Sequence, residues 1–158
     1  MRFQFLIAIT LLVAICACVA QTPSDQHPRV VNADDISEIS LTRLGGDGEP
    51  ADVVTFFADG SATYEGKHNV ERIGQFKGKL PDRFFNKTFP LLAKPFAELA
   101  TNGFSFGKPT SGLVPVQLHI KWTGGVWEIE DHCPGLDDRA WACEMIARGL
   151  AGEIAWTK

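Results

Sequence analysis

Between Val114 and Ile129 apolar and polar residues alternate almost without a break. Val114, Val116, Leu118, Ile120 and Trp122 are separated by Pro115, Gln117, His119 and Lys121, and Trp127 and Ile129 resume the rhythm after Thr123-Gly124-Gly125. A period of two places successive side chains on opposite faces of a strand, so the stretch reads as a hairpin with one dry and one wet face. It excludes a helix here and demands a second layer to cover the dry face. With Gly124-Gly125 as a two-residue loop, Trp122 faces Trp127 and Ile120 faces Ile129. On the wet face the same register sets Lys121 opposite Glu128 and His119 opposite Glu130.

Other segments extend the pattern upstream. Ile39 and Leu41 alternate with Ser40 and Thr42, and order is expected to begin near Ile36. Gly45 to Pro50 then reads as a flexible loop. Val53 to Phe57 and Ala62 to Glu65 flank Asp59-Gly60, whose two-residue turn would set Phe57 opposite Ala62 and Thr55 opposite Tyr64. A further strand is expected over Arg72 to Lys79, with Gly74 and Gly78 marking bulges. Phe85, Phe89, Leu92, Phe96 and Leu99 recur at helical spacing, but Pro90 and Pro95 predict one helix ending near Phe89 and a second, shorter piece. A last helix is expected from Leu136 to Arg148, with Asp137 and Asp138 at its start and Leu136, Ala140, Cys143, Ala147 and Leu150 as its buried stripe. The tail with Trp156 reads as a short extended segment. The fold class is α+β: an antiparallel sheet of about five to six strands with two main helices packed on one face.

The first residues carry an address. Arg2 precedes an apolar run from Phe3 to Val13, broken only by Gln4 and Thr10, and Ala14, Ala17 and Ala20 supply small residues. The run is too short for a comfortable membrane span. Two processing routes are open. Cleavage after Ala20 releases a secreted protein, whereas Ile15-Cys16-Ala17-Cys18 has the form of a lipobox, in which Cys18 is the lipidation candidate and an acyl chain tethers the protein to a membrane. The expected organisation is a signal peptide over 1–20, a flexible tether over 21–34 and one domain over 35–158. Removing the leader leaves about 135–140 residues, enough to bury a single core. Formal net charge is −4 without a Lys/Arg cluster, which argues against nucleic acid as a partner.

An exported chain meets an oxidising compartment, and Cys133 and Cys143 are the two cysteines beyond the leader. They are read as a disulfide, which on the chain-entropy account would add about 3 kcal/mol. A sharper reading takes Asp131, His132 and Cys133 as acid, base and nucleophile, but neighbours along a strand point to opposite sides. No common zinc spacing is present, and no metal or other cofactor is expected. His119 and Glu130 could form a general acid/base or pH-responsive pair, but a solvated cross-strand charge pair is the favoured reading. Asp137 and Asp138 are accounted for as helix-capping carboxylates. Asn86-Lys87-Thr88 is a glycosylation sequon, relevant only in a eukaryotic secretory route.

Phe57-Ala58-Asp59-Gly60-Ser61-Ala62-Thr63-Tyr64-Glu65-Gly66 resembles the "F..DG..TY.G" hairpin of a family of small exported bacterial domains catalogued as domain of unknown function 6438. The resemblance continues through a strand ending at Ile73-Gly74, a Phe- and Leu-rich helical segment from Phe84 to Leu99, and the hairpin and closing helix from Val114 to Leu150. It implies the same fold and lends no activity. Family members often carry a Cys-x-Gly-x-Cys-Pro loop between their first two strands; here Gly45-Gly46-Asp47-Gly48-Glu49-Pro50 has no cysteine, so no redox or metal role transfers to it.

These features point to a non-enzymatic binding module, exported to the periplasm, the outer membrane or the medium. Its partner would be an envelope protein or ligand, and its contact with a membrane would be through a lipid anchor alone. The expected contact surface comprises His119, Lys121, Glu128 and Glu130 on the outer hairpin face and the glycine-flanked Phe104 and Phe106. The competing expectation is a small hydrolase or thiol enzyme centred on His132 and Cys133.

Overall fold

The computed structural model describes residues 30–46, 48–81, 88–102, 115–131 and 137–158. Six strands form one antiparallel sheet: β1 (Ile36–Gly46), β2 (Glu49–Phe57), β3 (Ser61–His68), β4 (Gly74–Lys79), β5 (Val116–Trp122) and β6 (Gly125–Asp131). Their spatial order is β4-β3-β2-β1-β5-β6, so β1 is central and the C-terminal hairpin joins its free side. Two helices, α1 (Thr88–Asn102) and α2 (Asp138–Glu153), cover one face. The α+β architecture expected from the patterning is the one observed.

The alternation in each strand defines that face. Ile39 and Leu41 of β1, Val54 and Phe56 of β2, Val116, Leu118 and Ile120 of β5 and Ile129 of β6 all point into it and are buried. Phe89, Leu92, Phe96 and Leu99 of α1 and Ala140, Cys143 and Ala147 of α2 close over them. A bulge between Ile36 and Glu38 lets Ile36 share the inward face with Ile39 despite the odd spacing. Order begins earlier than Ile36: Val31 is buried, its amide donates to Thr101 Oγ1, and Ala33–Asp35 form a short 3-10 turn.

Several local expectations are corrected. In the β5–β6 hairpin Thr123 and Gly124 make the loop, so Trp122 opposes Gly125, Ile120 opposes Trp127 and Leu118 opposes Ile129. This is a slip of two residues, which a period of two cannot detect because every side chain keeps its face. The β2–β3 loop holds three residues rather than two, with Gly60 at φ +82° and its amide bonded to the Phe57 carbonyl. The one-residue change puts Phe56, not Phe57, opposite Ala62 and into the core. Much of the segment expected as a loop is strand: β1 runs to Gly46, which pairs with Glu49 at the start of β2.

The helices differ too. α1 is continuous through Pro95, and Pro90 falls in its first turn, where an amide donor has no helical partner to lose. The carbonyl that Pro95 leaves without a helical donor belongs to Leu91, a residue on the exposed side of α1. α2 starts later and ends later than expected. Asp137 caps it by accepting from the Arg139 and Ala140 amides, and neither Gly149 nor Gly152 stops it before Ile154. β4 begins at Gly74 and pairs with β3 without a bulge. Gly78 serves another purpose: a Cβ there would lie 2.3 Å from Ile154, so its absence lets the C-terminal tail cross the sheet. That tail pairs Thr157 with Lys77 and stacks Trp156 against Tyr64 at 5.6 Å between ring centroids.

Candidate functional site

The face of the sheet opposite the helices is polar, and none of the described elements covers it. Cross-strand pairing aligns one row of side chains over all six strands: Lys77, Thr63, Thr55, Ser40, His119 and Glu128. Every member can donate or accept a hydrogen bond. Ser40 and Thr55 bond each other at 2.9 Å, and His119 Nδ1 lies 3.5 Å from Glu128 Oε2. The adjacent row carries Gln75, Glu65, Val53, Thr42, Gln117 and Glu130, in which Gln117 donates to Glu130 at 3.2 Å. At the β2–β4 end the surface dips into a groove of about 460 Å³ whose lining includes Val53, Thr55, Thr63, Glu65, Gln75 and Lys77. Lys77 and Lys79 lie on the β4 edge of the face and Glu128 and Glu130 on the β6 edge, with Glu65 and Lys121 one strand in from each.

This geometry brings together four of the residues expected from the sequence, with changed partners. His119, Lys121, Glu128 and Glu130 all lie on the open face, as the alternation required. His119 opposes Glu128 instead of Glu130, and Lys121 opposes Val126 instead of Glu128. Phe104, Phe106, His132, Cys133 and Cys18 lie outside the described residues. Cys143 is a free thiol among the described residues, and Cys133, its expected disulfide partner, lies outside them. Burial on the inward side of α2 pushes its pKa up to about 12, which suppresses the nucleophilic thiolate. Ser40, Thr55, Thr63 and Lys77 escaped sequence reasoning, although their polar positions in alternating strands were the available signal.

A second constellation is hidden on the helix-covered side. Asp52, Arg43, Val116 and Asp131 form one cross-strand row beneath the last turns of α2. Arg43 donates from Nε to Asp52 Oδ1 at 2.6 Å and from Nη2 to Oδ2, and Tyr64 Oη donates to the same carboxylate at 3.2 Å. Desolvation, then the Asp52 charge, raises the Tyr64 pKa to about 12 and keeps it a donor. From α2, Arg148 Nη2 reaches Glu144 Oε2 at 3.6 Å. The Glu144 side chain is only 1% exposed, and burial raises its pKa to about 7 against the opposing pull of Arg148. Among the described residues Glu144 Oε1 and Arg148 Nε find no hydrogen-bond partner. Buried charges are tolerated when paired, and this cluster closes the polar end of an otherwise apolar core. No group of three His, Cys, Asp or Glu among the described residues is placed to hold a metal ion.

Comparison with known proteins returns no match: no family model, curated protein or solved structure was found that resembles this chain.

Proposed function

We propose that this protein is an exported, non-enzymatic binding module of the bacterial envelope, and that its open sheet face holds an extended polypeptide segment of another envelope protein. The observation that carries this reading is the polar row from Lys77 to Glu128. It spans five strand spacings, about 24 Å, roughly the reach of seven extended residues. A segment with acidic residues over β4 and basic residues over β6 would match the charge of the face. The leader supplies the export route, and acylation at Cys18 would keep the module at the membrane where such a partner resides. Intact-mass measurement of the mature chain tests that anchor: an unacylated start at Gln21 would leave export standing and remove the tether.

The binding surface is tested by placing a photo-crosslinking amino acid at Thr63 or His119 in cells, with Leu91 on α1 as the control. The expected result is a discrete adduct from the two sheet positions and none from Leu91. Glu128→Lys should weaken that adduct by about tenfold by removing the acidic end of the face. Equal labelling from all three positions would overturn the assignment.

A further inference from the structure

The outward face of α2 is apolar where a surface helix is ordinarily charged. Trp141 is 49% exposed and Met145 and Ile146 are each 39% exposed, three of the eight large exposed apolar side chains among the described residues. Along this face Asp138, Trp141, Met145, Gly149 and Gly152 follow at spacings of three and four, the seam of a helix that packs against another. The inward face is already occupied by Ala140, Cys143, Glu144 and Ala147. A Cβ built at Gly149 or at Gly152 would meet nothing within 4 Å, so both glycines leave an open notch beside the projecting Trp141 and Met145.

We infer that α2 is a homodimerisation surface, packing antiparallel against α2 of a second copy across a two-fold axis at Met145. The spacing is what singles out a second copy. Trp141 stands four residues before Met145 and Gly149 four residues after it. An antiparallel pair centred on Met145 therefore lays each Trp141 into the Gly149 notch of the other chain, as the self-complementarity of a two-fold interface requires. Asp138 falls over Gly152 in the same way. The flanking charges agree with this direction. Arg139 in the first turn, whose guanidinium bonds Asp137 of its own chain, and Glu153 in the last border the seam on the side of Ile146, and antiparallel packing brings the Asp137–Arg139 pair of each copy beside Glu153 of the other. An acidic membrane surface suits the face less well, since Asp137, Asp138 and Glu153 would meet like charge.

One helix face buries less than the roughly 800 Å² per partner of a standard interface, so the dimer is expected to dissociate on dilution. Sedimentation equilibrium of the mature chain from about 1 µM to about 1 mM tests this. The expected outcome is a monomer–dimer equilibrium, which Met145→Glu weakens at least tenfold by setting two carboxylates against each other at the axis. Gly149→Leu gives an independent arm. It fills the notch while favouring the helix, so dimerisation should be lost as thermal stability holds or rises. A Met145→Cys chain should form a disulfide-linked dimer on oxidation, and Leu91→Cys on α1 should not. A monomer throughout, a dimer indifferent to both substitutions, or binding of the monomer to lipid vesicles through this face would overturn the inference.

Discussion

Glu144 shows how a single buried ionisable group can set the pH response of a fold. Its folded pKa is raised from 4.5 to about 7, chiefly by burial and against the attraction of Arg148. The native state therefore binds more protons than the unfolded chain between these values, and stability falls as pH rises through that window before levelling above it. Replacing Glu144 with Gln removes the charge that burial penalises. The variant should lose the decline and exceed the parent at pH 8 by on the order of 2 kcal/mol, read from urea unfolding at a series of pH values. A parent whose stability is flat from pH 4.5 to 7 would contradict this. Cys143 makes a simpler case. With its pKa at about 12 and its side chain buried, it should resist a thiol reagent in the native protein and react only after unfolding. Both residues belong to the buried side of α2, yet only Cys143 was legible beforehand. It continued an apolar stripe, whereas a glutamate beside that stripe reads as a solvent-facing residue until its neighbours are known.

At the scale of elements, the cap of α2 was legible in the sequence, whereas the lengths of the turns were not. Asp137 was recognisable as the start of α2, and its side chain accepts from two amides of the first turn. Asp137→Ala should lower stability by about 1 kcal/mol through loss of that cap, measurable as a shift in the denaturation midpoint. The Asp59-Gly60 turn was placed correctly but given the wrong length. Asp59 Oδ1 accepts from both the amide and the hydroxyl of Ser61, which favours the three-residue form with Gly60 in the left-handed region. Gly60→Val should cost about 1–2 kcal/mol, because a β-branched residue is strained at that φ, and thermal unfolding would show it. Pro90 and Pro95 misled for a definite reason. A proline in the interior of a helix removes a donor and crowds the preceding turn, but here Pro90 lies in the first turn and Pro95 stands one turn after Leu91, a residue on the exposed side of α1.

For the molecule as a whole, strand order places the protection. β1 is paired along both edges and carries Ile39 and Leu41 into the middle of the core, whereas β4 is held on its outer side, among the described residues, only by the tail around Thr157. Amide hydrogen exchange should be slowest in β1 and the facing parts of β2 and β5, and fastest in β4. Equal protection in β1 and β4 would contradict this reading. The amino-acid sequence by itself determined the class of fold, the inward faces of the strands and the buried stripes of α1 and α2. It did so because alternation and helical spacing are local and survive any choice of partner; the exception is β2, where the run Val53 to Phe57 does not alternate and the structure turns Phe56 rather than Phe57 inward. Tertiary structure alone decided the register of the hairpins, the joining of β5 to β1, and the assembly of Lys77, Thr63, Thr55, Ser40, His119 and Glu128 into one row. Those depend on which strand lies beside which, and a two-residue slip that leaves every face unchanged carries no local signature. The cluster of Arg43, Asp52, Tyr64, Glu144 and Arg148 was hidden for the same reason: burial of a charge is a property of its neighbours, and those neighbours come from four separate elements of the chain.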